Sequence, residues 1–278
     1  MGVRGQSSEM IRIAIKFVVS LFLLAACTVP GDNAFRDYRE SYEAARLASV
    51  HVIEVYNEYD KVNRRLRTSD VTFDPNLADV YSATALTPIS AKISEGFAAA
   101  TVYTEVLARY LDNNTLSLQE DDIVTLNGAI TSVASLINNE TAGAQINAVI
   151  GATRSLVNLS LARDDRDEFV RLVRENSRVV DEFLAVVRAD TSDMYRSARL
   201  ATAASNGSGE KLEEFRIMLA NWVLLIDQTR ADLAALQSQV EAGTGQQTAL
   251  RLLADSAVRI DRYAQDIAAA RRELIGVF

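Results

Sequence analysis

Apolar residues recur at alternating spacings of three and four along most of this chain, the repeat of one face of an α-helix. Phe35, Tyr38, Tyr42, Ala45, Ser49, Val52, Tyr56, Tyr59 and Leu66 follow it, with Asn63 as the polar exception. They predict a first helix from about Phe35 to Arg67. Its stripe is rich in tyrosine. A buried tyrosine ring still needs a partner for its hydroxyl, so the stripe is expected to border water or a facing polar group.

Residues 68–87 are the least regular stretch. Thr68-Ser69-Asp70 ends the first helix, Asp74-Pro75-Asn76 is a turn signal, and a short helix is expected from Leu77 to Leu86. Thr87-Pro88 then opens a helix with Thr as cap and Pro at the first helical position. Ile89, Ile93, Phe97, Ala100, Thr104, Leu107 and Leu111 are its stripe, and Asp112-Asn113-Asn114 its stop.

Ser117-Leu118-Gln119-Glu120 reads as a capping box, followed by a stripe of Ile123, Leu126, Ile130, Val133 and Ile137. The acidic run Glu120-Asp121-Asp122 suits the positive end of that helix's dipole. A fourth helix carries Ile146, Val149, Ile150, Leu156, Val157 and Leu161. A fifth carries Phe169, Val173, Val180, Phe183, Val187, Met194, Ala198 and Ala201, and Asn206-Gly207-Ser208-Gly209 closes it. In the sixth, Ile217 to Ile226 is apolar except for Asn221. A helix apolar on every side is expected to be buried on every side, which predicts the central helix. Gly243-Thr244-Gly245 precedes a seventh helix with Leu252, Leu253, Ser256, Ile260, Tyr263, Ile267, Ala270 and Leu274.

No strand-period segment stands out. The fold expected is all-α, an elongated antiparallel bundle of about six to seven long helices. No Pro/Ser-rich linker divides it, so residues 35–278 are expected to form one domain. Scarce Pro and Gly (3 and 12 residues) agree with helix almost throughout.

The N-terminal stretch has a different pattern. Arg12 and Lys16 precede an apolar run from Phe17 to Ala26. That run is about half of the roughly twenty residues a bilayer span requires. A basic region, a short apolar core and small residues at its end read as a secretory signal. Met10 gives a tidier start than Met1, because residues 1–9 are polar and include Glu9.

Leu24-Ala25-Ala26-Cys27 ends this leader in the chain's only cysteine. The tetrad resembles the lipobox of bacterial lipoprotein precursors, an aliphatic residue and two small ones before Cys. The resemblance implies cleavage after Ala26, removal of residues 1–26, and attachment of acyl chains such as palmitate at Cys27. It implies a lipid bilayer as one partner and residues 27–34 as a short tether. Thr28, where Asp favours retention in the inner membrane of enteric bacteria, implies the periplasmic face of an outer membrane. The resemblance covers only the leader.

Charge and chemistry narrow the function. The whole chain carries a net −8, and loss of a leader with a net +2 leaves the mature chain near −10. No basic patch with interleaved aromatics occurs, so nucleic acid is not an expected partner. With Cys27 acylated, no thiol remains for a disulfide, and stability has to come from packing. His51 is the only histidine and lies beside the first helix's stripe, which favours a structural role. Asp70, Asp74 and Asp79 lack the spacing and turn glycine of a calcium loop. No metal or cofactor is expected, and no phosphate-binding or dinucleotide fingerprint occurs.

Three functions remain, in this order. The first is a non-enzymatic helical interaction or assembly module that meets an unknown envelope protein through the 68–87 connection, with Asp70, Asp74, Asp79 and Tyr81 as candidate contacts. The second is a lipoprotein holding an apolar or aromatic molecule against Tyr42, Tyr56 and Tyr59. The third is a carboxylate-dependent peptidoglycan-cleaving enzyme. Its nearest feature is Ser94-Glu95-Gly96-Phe97, but transglycosylases have Ser after their catalytic Glu, and here Gly96 follows.

Overall fold

The computed structural model describes residues 32–68, 74–113, 166–205, 207–242 and 249–275. They form six α-helices and one 3-10 turn, with no strand among the described residues. The helices are α1 (Asp32–Leu66), α2 (Ala78–Tyr81), α3 (Pro88–Asn113), α4 (Arg166–Ala204), α5 (Gly209–Ala242) and α6 (Ala249–Ile275); the 3-10 turn is Pro75–Leu77. The helices expected between Ser117 and Leu161 lie outside the described residues, as do residues 1–31.

Cross-helix contacts fix the directions. Tyr38 meets Thr104 while Asn57 meets Thr87, so α1 and α3 are antiparallel. Asp181 pairs with Arg230 and Arg188 with Asp227, so α4 and α5 are antiparallel. Ser41 meets Thr229 while Tyr59 packs on Phe215, which sets α5 against α1 as well. Asp232 feels the charge of Arg259, while Glu214 and Ile217 share a groove with Ala270 and Glu273, so α6 runs opposite to α5. The fold is the antiparallel all-α bundle its periodicity predicts, and α1, α4 and α6 point one way, α3 and α5 the other.

The stripes are buried where the helices have neighbours. Val173, Val180, Phe183, Val187, Met194, Ala198 and Ala201 of α4 are all buried, as are Ile260, Ile267, Ala270 and Leu274 of α6. Leu66 and Ile89, expected in the core, are 54% and 46% exposed. Both sit in terminal turns, where the apolar period outlasts the packing around it.

The centre is shared rather than held by one helix. α1 packs against α3, α4, α5 and α6, whereas α5 packs against α1, α4 and α6. In α5, Met218, Leu219, Trp222, Leu225 and Ile226 are buried, but Ile217 and Leu224 are 44% and 45% exposed. The all-round apolar run therefore does not mark all-round burial. α1 accommodates its four neighbours with small residues. Ser41, Ala45, Ala48 and Ser49 are buried, and Thr229 of α5 comes close enough to donate to the Ser41 carbonyl at 3.0 Å.

The tyrosine stripe finds facing polar groups. Thr104 donates to its own helix at the Ala100 carbonyl, leaving its oxygen to accept from the Tyr38 hydroxyl at 3.1 Å. The Tyr42 hydroxyl donates to the Phe97 carbonyl at 2.6 Å and lies 2.9 Å from the Thr101 hydroxyl. Tyr56 bonds Ser197 and Tyr59 bonds Thr202, both on α4. Each ring thus fills the core while its hydroxyl fixes the register of a neighbouring helix.

Gly96 is a point of close approach. A Cβ there would lie 2.2 Å from Phe183 Cε2, and the Phe183 ring is already set edge-on to Phe97 at 5.2 Å. Alanine normally stabilises a helix relative to glycine by about 1 kcal/mol. Here the ring has to move, so Gly96→Ala is expected to destabilise by about 1–3 kcal/mol. A raised melting temperature in the variant would contradict this packing.

Candidate functional site

The connection after α1 is strapped down at defined points. Asp74 caps the 3-10 turn, accepting from the Asn76 backbone N–H at 2.9 Å and from its side-chain amide at 3.0 Å. α2 follows, with Val80 buried and Asp79 paired with Arg64 in the last turn of α1. Lys61 is 2% exposed; its ammonium bonds Glu58 at 2.9 Å and the Ala83 carbonyl at 3.5 Å. Asn57 donates to the Ala85 carbonyl at 3.1 Å and accepts from the Thr87 backbone N–H at 2.7 Å. Arg64, Lys61 and Asn57 are spaced along one face of α1, so residues 79–87 run back along that helix.

These straps explain the local shape. The expected helix from Leu77 to Leu86 shortens to the 3-10 turn and α2. Past Ser82, the Ala83 and Ala85 carbonyls are taken by side chains of α1 instead of by a following helical turn. Thr87 still precedes α3, but its hydroxyl bonds the Ser90 side chain.

Of the residues singled out for this surface, Asp79 is tied to Arg64, Asp74 is engaged in its own turn, and Tyr81 is 51% exposed. Asp70 lies outside the described residues. Exposed apolar side chains accompany Tyr81: Leu66 at the end of α1, Leu86 before α3 and Ile89 in its first turn. Periodicity did not mark Asn57 and Lys61 because it assigns polar residues to the solvent face.

The tyrosine groove does not form as one site. Tyr42 is closed in by Tyr38 and Phe97, and Tyr59 by Phe215. Tyr56 lines a cavity of about 230 Å³ between α1, α3 and α4. A wider groove of about 440 Å³ runs between α5 and α6 beside Glu214 and Arg272. Cys27 and Ala26 lie outside the described residues.

His51 stands next to the Glu54–Arg271 pair, whose two bonds measure 2.7 and 2.9 Å. Burial and the Arg271 charge hold the imidazole below its ordinary value, and its Nδ1 is buried without a partner. Glu95 is raised by burial, with Oε2 unpartnered.

Asp232 of α5 carries the most instructive buried charge. It is 3% exposed, Gln228 donates to its Oδ1 at 2.8 Å, and the Ser41 hydroxyl, which donates to the Tyr38 carbonyl at 3.0 Å, lies close enough to act on the carboxylate. Burial outweighs its hydrogen bonds and raises the carboxyl above its ordinary value, with Asp37 adding to the rise and Arg259 opposing it. The folded state thus binds this proton more tightly than the unfolded chain. The associated stability is present below the ordinary carboxylate value and is lost as pH rises through the raised one. Asp232→Asn should therefore be more stable than the parent protein at pH 7 and show a flatter urea midpoint between neutral and acidic pH. Loss of stability at pH 7 would mean that the charge is a net benefit.

Comparison of the chain with protein families, curated proteins and solved structures finds no match. Fold and geometry together define a class, an all-α bundle with a strapped, partly apolar connection at one end.

Proposed function

We propose that this chain is a membrane-anchored bacterial lipoprotein that works as a non-enzymatic interaction or assembly module in the cell envelope, on the periplasmic face of the outer membrane. Acylated Cys27 holds it to the bilayer, and an envelope protein docks at the far end. The observation that carries this reading is where the exposed apolar residues sit. Among the described residues, Leu66, Tyr81, Leu86 and Ile89 are exposed on or beside the strapped connection that follows α1, while Leu47, Val50, Leu200, Ile217 and Leu224 are exposed singly or in pairs elsewhere on α1, α4 and α5.

α1 has 35 residues, which at 1.5 Å each is about 52 Å. Its start at Asp32 leaves Thr28 to Gly31 between the lipid and the bundle, a reach of at most about 14 Å. Asp32 to Ala34, expected in the tether, already belong to the helix. The base therefore stands close to the bilayer in this reading, and the docking end stands about 50 Å away. Arg65 and Arg67 are exposed there, a local positive contribution on an acidic chain. They suit a partner segment with apolar residues flanked by acids.

The strapped geometry favours binding, since a connection already fixed by Asn57, Lys61 and Arg64 loses little freedom on docking. Deleting it would be a poor test, because Val80 is buried and Asp79 holds Arg64. The better variant is Leu66→Glu with Leu86→Glu. Exposed substitutions move stability by about 0.5 kcal/mol or less, so circular dichroism should be unchanged while co-purification of the envelope partner from solubilised membranes is lost. Undiminished co-purification would place the docking surface elsewhere.

A further inference from the structure

The cavity between α1, α3 and α4 has an apolar lining and an unsatisfied acid at its edge. Ile93, Phe183, Val187 and Met194 supply the apolar wall. Phe183 is a fixed part of that wall, because its ring is seated against Gly96 and Phe97. Tyr56 closes the α1 side, with its hydroxyl turned to Ser197. At about 230 Å³, the space is smaller than the roughly 300–1,000 Å³ of sites for drug-sized molecules. It fits one small ring or a short branched chain.

The charged groups around it are Asp190, Asp193 and Lys92 in the lining, with Asp60 close enough to act on Tyr56. Asp193 is engaged by Arg196 at 2.5 Å. Asp190 is half-buried and has no hydrogen bond or ion pair among the described residues. Its carboxyl is raised, chiefly by burial and further by Asp193, so the protein pays desolvation there without compensation. Lys92 forms no ion pair with it, and a lysine on a flexible stem keeps its ammonium in water. Three acids against Lys92 and Arg196 leave the neighbourhood negative. A carboxylate poorly served by its own protein, beside a dry wall, is matched by a ligand that brings both a cation and an apolar body.

We propose that this cavity is a binding site for a small organic cation, an ammonium group on a compact apolar body, with Asp190 receiving the charge and the Phe183–Val187–Met194 wall receiving the body. The site does not depend on the lipid anchor, it shares Ile89 with the proposed docking surface, and it is tested on the purified chain in the absence of an envelope partner.

Benzylammonium is the probe, with benzyl alcohol and benzoate as neutral and anionic controls of similar shape. Calorimetry or heteronuclear NMR titration should give saturable one-to-one binding of benzylammonium. Benzyl alcohol should bind about tenfold more weakly, the loss expected for one charge-assisted hydrogen bond, and benzoate more weakly still. In Asp190→Asn, which keeps the shape of the side chain, benzylammonium should fall to the affinity of benzyl alcohol, and benzyl alcohol should be unaffected. Fluorescence of Trp222, the only tryptophan, checks that the variant is folded. The proposal is overturned by absence of saturable benzylammonium binding, by equal affinities for the three probes, or by a cation preference that survives in Asp190→Asn.

Discussion

Trp222→Ala is expected to cost about 3–5 kcal/mol of stability, the range for emptying a buried aromatic position. Trp222 is fully buried on α5, its ring centroid 6.4 Å from that of Phe97. Phe97 in turn meets Tyr42 and Phe183, so side chains of α1, α3, α4 and α5 converge on one aromatic cluster. Domains of this kind have about 5–15 kcal/mol in total, and here a single cysteine precludes an intrachain disulfide. The cavity left behind would remove a large share of that total.

The indole Nε1 is buried without a hydrogen-bond partner. Trp222→Phe removes that orphan donor along with some volume and should cost less than the alanine variant. Urea denaturation followed by circular dichroism separates the two. A loss under about 1 kcal/mol for Trp222→Ala would mean that the cluster does not carry the fold.

The second large effect concerns place. Cys27→Ser should abolish the acyl mass on the N-terminal peptide, and a chain that starts at Thr28 behind a cleavable secretory leader without a lipobox should move from the membrane pellet to the aqueous fraction. Each buried methylene contributes about 0.8 kcal/mol to membrane attachment, so loss of the lipid leaves little to hold an acidic chain on an anionic surface. No described helix is long and apolar enough to cross a membrane, and acylation carries attachment in this reading. A cleaved, unacylated chain starting at Thr28 that still sediments with membranes, or an N-terminal peptide of the parent protein without acyl mass, would contradict the anchoring proposal.

The long-helix architecture was legible because the apolar period is strong. The buried stripe of α4 from Val173 to Ala201 is the one the spacing predicts, and α4 and α5 part at the Asn206-Gly207-Ser208-Gly209 stop. Spacing misreads Leu66 and Ile89 because a period says nothing about where the neighbouring helix ends. It also underrates α1 as a hub, since the residues that let four helices approach it are Ala and Ser, weak signals on any hydrophobic scale. The site was legible only as an irregular connection. The straps from Asn57, Lys61 and Arg64 join residues more than a dozen positions apart, and no local pattern encodes that pairing. The Asp190 cavity arises from the shapes of side chains on three helices and leaves no trace in periodicity.

The central claim is that an envelope partner meets the end of the bundle farthest from the membrane. Site-specific photocrosslinking in living cells tests it most directly, with the crosslinker placed at position 86 or, in a separate strain, at position 40 near the start of α1. The account predicts a discrete protein adduct from position 86 and none from position 40. The same adduct from position 40, with none from position 86, would contradict it.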